Sequence, residues 1–425
     1  MGIVDVEHAT AGPPIFRRTL VAFTALIFVL LAASLRGRAS AGGDEFPVAN
    51  DTYPQSNPAI ALAPGGVSLV AWETLVGGPT PGAGAPAMGS RIEGALLRPD
   101  GATARRVTFP DEPKLSDHLA AVTFDGRRFV VLVTRRASTL THAQLAATFV
   151  RRDGTPGTTV AIVPSTGDWE VVTAASDQAG RTLAVVTDGI RDHLVRIGPG
   201  STMRWIGPIA SGPGRVVPGS SDVAYNPRID RWLVAWRKPD GRLEGRFANS
   251  NGFAGRIFLL QRVNNQNPPA VGGPSIAARG QGFLLAFQYH NRFDVYGVHA
   301  FAVGLHGSIG EAVFLQKGTC SGDTGITVAS DAAADRLVVA WTDNCPGVTA
   351  RESKQVYLNR RLAPLGGSSF TLYGTALTQF VVPAGGPPRA LAVYAACGFP
   401  GGCDGIYGRI LRPRPPDGPV RKTTG

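Results

Sequence analysis

The chain has 425 residues and a formal net charge of +11, with 17% charged and 44% hydrophobic residues. That apolar share excludes a disordered chain, and 54 glycines with 33 prolines argue against long helices, because both residues break them. The basic excess falls on separated pairs (Arg105-Arg106, Arg127-Arg128, Arg135-Arg136, Arg151-Arg152 and Arg360-Arg361) rather than on one patch with aromatics among it, so no nucleic-acid partner is expected.

At the N-terminus, Arg17-Arg18 precede the apolar run Thr19 to Leu35. Ala39-Ser40-Ala41 then supply the small-x-small pattern of a signal-peptidase site. The run sits at the short limit for a helix that spans a bilayer. Residues 1–41 therefore read as one hydrophobic helix, either a signal peptide cut before Gly42 or a membrane anchor. The cleavage pattern favours the signal peptide, while the long leading tail and the interrupting Arg36 and Arg38 are the points on the side of the anchor. Either reading places the body outside the cytoplasm (secreted, periplasmic or on the cell surface) and limits membrane contact to this segment.

From there one pattern recurs. Apolar runs occupy Ser68 to Trp72, Phe129 to Val133, Thr182 to Val186, Trp232 to Trp236, Phe283 to Phe287, Leu337 to Trp341 and Ala390 to Tyr394. Self-similarity at a nearly fixed period marks a repeat architecture. The runs are apolar at successive positions, which requires a strand covered on both faces, and they have strand length. Each repeat adds a preceding strand, such as Asp222 to Tyr225. A third strand carries a glycine motif, as in Leu243-Glu244-Gly245 or Ile406-Tyr407-Gly408. A hairpin such as Pro99-Asp100-Gly101 then leads to a fourth strand. The expectation is all-β: a seven-bladed β-propeller of four-stranded antiparallel blades over 42–414, with 415–425 as a C-terminal tail. The last repeat runs into Pro413 and Pro415, so Glu45 to Asn50 is expected to supply its outer strand; Pro419 to Lys422 is the rival. The stretch Val76 to Ser90, rich in Gly, Pro and Ala, reads as a tolerated loop insertion.

The phrases Asp222-Val223-Ala224-Tyr225-Asn226, Trp232-Leu233-Val234-Ala235-Trp236 and Gly405-Ile406-Tyr407-Gly408-Arg409 resemble a repeat of secreted bacterial β-propeller proteins. The resemblance implies fold and export, and implies no activity.

Four cysteines, Cys320, Cys345, Cys397 and Cys403, fit export. Four allow three pairings; Cys397 with Cys403 would close a short loop, and Cys320 with Cys345 would join loops of one repeat. They lack the paired spacing and the histidine of a metal site.

In a propeller, the loops entering the inner strands and those joining second to third strands share one face. The entries are Pro58-Ala59, Asp117-His118, Trp169-Glu170, Ser221-Asp222, Pro274-Ser275, Thr324-Gly325 and Thr378-Gln379. Alignment gathers Asp117, His118, Trp169, Glu170 and Asp222 near one mouth, with Asp192, His193, Arg237, Tyr289 and His290 from the other loops. The ligand-binding candidates are His118, Trp169, Glu170, Asp222, Arg237, Tyr289 and His290, since aromatic rings beside polar groups suit a sugar or peptide. Glu170, Asp222 and Asp117 are the carboxylates a glycan hydrolase or lyase would use. The same group could ligate a structural Ca²⁺, although no cofactor is expected. The leading reading is a monomeric extracytoplasmic binding scaffold for an extracellular glycan, peptide or protein surface. The alternative is a secreted glycan-active enzyme.

Overall fold

In a computed structural model the chain is described over residues 45–411, apart from 50–52, 77–88, 111–114, 138–142, 163–167, 212–214, 262–268, 291–295, 320–324, 332–335, 344–350, 373–378, 382–389 and 399–401. The expected hydrophobic helix of residues 1–41, the C-terminal tail, Cys320 and Cys345 lie outside the described residues. Among the described residues no helix is long and apolar enough to cross a membrane.

Seven antiparallel four-stranded sheets follow one another, as the repeat predicts. From inner to outer strand, blade 1 is Gln55–Leu62, Ser68–Val76, Gly89–Leu97 and Thr103–Thr108, and blade 2 is Leu115–Phe124, Arg128–Ala137, Gln144–Arg151 and Pro156–Ala161. Blade 3 is Glu170–Ser176, Thr182–Thr187, Asp192–Ile197 and Met203–Pro208, and blade 4 is Ser221–Asn226, Arg231–Arg237, Leu243–Asn249 and Gly252–Gln261. Blade 5 is Ser275–Arg279, Gly282–His290, Tyr296–Val303 and Ile309–Thr319, and blade 6 is Ile326–Asp331, Arg336–Asp343, Arg351–Leu358 and Pro364–Leu372. Blade 7 is Gln379–Val381, Ala390–Gly398 and Gly402–Leu411, and its outer strand is Glu45–Ala49 from the other end of the chain. The N-terminal strand therefore closes the ring, as expected.

The apolar runs are the second strands. Leu69, Val70, Ala71 and Trp72 are fully buried, as are Trp232 to Trp236 and Phe283 to Ala286. Successive residues of a run pack into different cores. Trp72 and Val70 join Val393 and Ala395 between blades 7 and 1, while Leu69 and Ala71 join Val131 and Val133 between blades 1 and 2. A strand packed on both faces can carry no charge without desolvation cost, which explains the unbroken apolar pattern.

The glycine of the third-strand motif marks a close approach. A methyl group on Gly245 would lie 2.7 Å from Leu260 of the outer strand, and one on Gly408 would lie 2.5 Å from the Phe46 ring. Phe46 also covers Gly101 of blade 1, where a methyl would again meet the ring at 2.5 Å. The closing strand thus staples blade 7 to blade 1 through one aromatic ring.

Candidate functional site

The upper face, as named below, carries the connections between second and third strands and between successive blades. The hairpins form the lower face. Pairing registers reveal which inner-strand residues share a level. The residues opposite the penultimate position of each apolar run are Ala59, Ala121, Thr173, Asp222, Ser275, Thr327 and Gln379. Sequence alignment matches this level at Ala59, Asp222, Ser275 and Gln379. It differs in blades 2 and 3, where β-bulges between Leu119 and Ala121 and between Val171 and Thr173 shift the strand. His118 and Glu170 therefore stand above Asp222, towards the upper face. In blade 6 the aligned residue is Thr327, two positions after the expected Gly325.

Asp222 is built into the wall of the channel. Its Oδ1 accepts the Thr173 hydroxyl at 2.8 Å and the Val223 amide at 2.8 Å, and its Oδ2 accepts the Ile276 amide at 2.7 Å. One carboxyl group thus joins blades 3, 4 and 5. Burial raises its pKa to about 6, and these hydrogen bonds only partly counter the shift. The same device continues in Ser275, whose Oγ accepts the Val328 amide at 3.0 Å. Titration near neutrality suits a general acid, yet both Asp222 oxygens are occupied by donors of the fold.

The other two carboxylates are also paired. Asp117 is buried against Arg135, with Nη2–Oδ2 at 3.1 Å and Nε–Oδ1 at 3.0 Å. Glu170 accepts from Arg136 at 2.6 Å in an exposed ion pair between blades 2 and 3. Glycoside hydrolysis needs two carboxyl groups facing a sugar, one free to move a proton. Asp117, Glu170 and Asp222 are each engaged elsewhere. Among the described residues no group of three His, Cys, Asp or Glu side chains is placed to hold a metal ion, so the Ca²⁺ set proposed from sequence is not brought together.

His118 is exposed, and a carboxylate that sequence reasoning missed holds it. Glu73, at the end of blade 1's apolar strand, is buried; it accepts the Leu119 amide at 2.8 Å and the Asn57 side-chain amide at 3.1 Å. His118 Nδ1 lies 3.6 Å from Glu73 Oε2. Hydrogen bonding to Glu73 raises the His118 pKa above 6.5 against the opposing effect of burial. Asn57 has φ +46°, the left-handed region that asparagine enters more readily than most residues. The only hint in the sequence was a charge abutting an apolar run, at Trp72-Glu73.

Trp169 belongs to an aromatic group at the upper seam of blades 2 and 3. It packs edge-on against His193 (centroids 5.2 Å apart) and Trp205 (5.0 Å), and His193 and Trp205 lie 4.9 Å apart. His193 Nε2 is 3.2 Å from Asp188 Oδ2, which fixes the imidazole. Trp205, on the outer strand, is 43% exposed. An indole held by two other rings and left open to solvent is a preformed stacking surface. Trp205 was also missed; its signal was a lone tryptophan in an otherwise exposed strand. Asp192, beside His193, is buried and tied to the Gly219 amide at 3.2 Å and to the Ser221 hydroxyl, and burial raises its pKa.

The remaining candidates lie apart from this group. Tyr289 is buried, its ring against His299 (4.5 Å) and Phe314 (6.0 Å), so it fills the core rather than facing a ligand. His290 stacks on Tyr296 at 4.1 Å. Arg237 ends blade 4's apolar strand, where its carbonyl accepts the Val217 amide at 2.9 Å. Cys397 and Cys403 face each other in the register of blade 7's second and third strands.

No protein-family model and no curated protein matches the chain. Solved structures do. A protein of unknown function from Dyadobacter fermentans is 11% identical with a TM-score of 0.47, over 88% of this chain and 98% of that one. A member of the DUF4221 family from Bacteroides vulgatus is 9% identical with a TM-score of 0.42, over 86% of this chain and 95% of that one. The NanB sialidase of Streptococcus pneumoniae is 8% identical with a TM-score of 0.44, over 86% of this chain and 70% of that one. At these identities the likeness concerns fold alone.

Proposed function

We propose that this protein is a non-catalytic recognition platform working outside the cytoplasm, and that it holds a glycan or peptide at the upper seam of blades 2 and 3. The observation that carries the reading is the exposed Trp205, buttressed by Trp169 and by a histidine that Asp188 holds in place. A rigid aromatic face gives large contact area at low conformational cost. Glu170, next in sequence to Trp169, forms an exposed ion pair with Arg136 that offers hydrogen-bonding groups of both signs. The reading of export is supported by the sequence of the N-terminal segment and by the resemblance to secreted propeller repeats. The enzyme reading is the weaker one, because Asp117 and Asp222 are tied into the fold and Glu170 is paired with Arg136.

A glycan and peptide array probed with the protein and with Trp205→Ala tests this. Trp205 is exposed, so the variant keeps its fold, and the array hits should vanish. Hits unchanged in the variant would clear the aromatic group of any role.

A further inference from the structure

Arginines that lie apart in the sequence converge on one face of the fold. Among the described residues, the exposed arginines at the lower-face hairpins are Arg98 in blade 1, Arg127, Arg151 and Arg152 in blade 2, Arg228 in blade 4, and Arg360 and Arg361 in blade 6. The exposed carboxylates described there are Asp100, Asp153 and Asp230. Asp100 lies 3.7 Å from Arg98, and Asp230 lies 3.6 Å from Arg181. The buried Asp125 and Asp177 are taken by Arg128 and Arg181. Among the described residues, Arg127, Arg151 and Arg361 make no ion pair and no side-chain hydrogen bond. Glu73, Asp117, Glu170 and Asp222 all stand towards the upper face. The propeller is therefore polarised, with its unneutralised positive charge below.

Blades 2 and 6 lie on nearly opposite sides of the ring, so a small anion cannot span their arginines. A planar anionic surface meets them together. The entry of the chain points the same way. Fourth strands run from the lower to the upper face, and the closing strand Glu45–Ala49 begins beside a lower hairpin, where Phe46 covers Gly101. The sequence before Phe46 therefore joins the propeller at its lower side. The apolar run ends at Leu35, and residues 36–44 reach about 30 Å when fully extended. A membrane that held the run could lie no farther than that from the start of the strand.

We infer that the lower face docks on anionic phospholipid headgroups and so turns the upper face away from the bilayer. This contact is additional to the one expected of the N-terminal segment, and it does not depend on the Trp205 site. Arginine suits such a partner, because its planar guanidinium meets phosphate oxygens in pairs. Each cation close to an anionic leaflet adds to the attraction, whether the N-terminal segment stays or is cut.

Arginine footprinting with phenylglyoxal, read by mass spectrometry, tests this on the full-length protein. The protein is added to vesicles of phosphatidylcholine alone, or of equal parts phosphatidylcholine and phosphatidylglycerol, at low ionic strength. Insertion of the N-terminal segment acts alike on both, so their difference reads the headgroup charge. Arg127, Arg151 and Arg361 should react about fivefold more slowly on the anionic vesicles. Arg215, exposed on an upper-face connection, should react equally on both. High salt should abolish the protection. The exposed triple variant Arg127→Gln/Arg151→Gln/Arg361→Gln should lose it at Arg152, while Trp205→Ala should keep it. Equal reactivity on the two vesicles, or equal protection of Arg215, would overturn the docking face. Protection by inorganic polyphosphate without protection by the anionic vesicles would assign the face to a soluble polyanion and overturn it as well.

Discussion

If Phe46 closes the ring, it should be energetically coupled to Gly408. A methyl group at Gly408 would lie 2.5 Å from Phe46 Cε2 and Cζ, inside any real carbon–carbon contact. The ring cannot retreat freely, because Gly101 of blade 1 flanks it as well: a methyl group there would also come within 2.5 Å of the ring. Gly408→Ala should therefore destabilise by about 1–3 kcal/mol, the cost of overpacking a fitted core. Phe46→Ala should cost about 2 kcal/mol, below the full-burial figure, because the ring is only partly buried. In the double variant the clash has no partner, so the Gly408→Ala penalty should disappear on a Phe46→Ala background. Urea unfolding of the four proteins, followed by tryptophan fluorescence, yields the coupling. Additive losses would show that Phe46 and Gly408 do not meet, and the closure by Glu45–Ala49 would fail with them.

Three further outcomes are expected. Asp222 has a folded-state pKa raised from 3.8 to about 6, so the fold binds its proton more tightly than the unfolded chain does. Stability from this group is full below about pH 4 and is lost as pH rises through about 6, by at most about 3 kcal/mol and less where the channel screens the charge. Asp222→Asn should flatten that part of the profile; a variant with the same slope between those values would contradict the assignment. Removing the buried Glu73 carboxylate in Glu73→Ala leaves the Leu119 amide without its acceptor and should cost about 1–3 kcal/mol. It should also let the His118 proton resonances titrate at lower pH, and an unmoved titration would show that Glu73 does not hold the imidazole. Cys397 and Cys403 stand opposite in an antiparallel pair, where Cα atoms lie about 4.5–5.5 Å apart, within disulfide range. Protein from an oxidising compartment should yield a peptide cross-linked at these residues, and alkylation of both thiols without reduction would refute the pairing.

The repeat was readable because its cause is simple. A second strand sandwiched between two neighbouring cores has no polar option at Val70, Trp72, Leu233 or Phe287, and seven such runs fix seven blades. The third-strand glycines were readable for a similar reason: Leu260 and Phe46 leave no room for a side chain at Gly245 and Gly408. The level of the channel residues was not readable in blades 2 and 3. The bulges fall in stretches of Ala, Val and Thr, where either face tolerates the same residues, so no pattern marks the slip. Glu73 was hidden because its burial depends on an amide 46 residues away. Trp205 was hidden because its partners, Trp169 and His193, come from two other strands or strand entries of blade 3. The arginine pairs are scattered in sequence, yet Arg127-Arg128, Arg151-Arg152 and Arg360-Arg361 all fall on lower-face hairpins. Two of these side chains are used in packing: Arg128 lies 3.6 Å from the Phe149 centroid and Arg152 lies 5.0 Å from that of Phe124.

The most direct test of the recognition site is a crystal structure of the protein bound to its strongest array ligand. A recognition platform at the seam of blades 2 and 3 predicts a ligand ring lying on the exposed indole of Trp205, with polar groups reaching Glu170 or Arg136. Ligand seated on the lower-face hairpins, with the Trp205 indole bare, would contradict it.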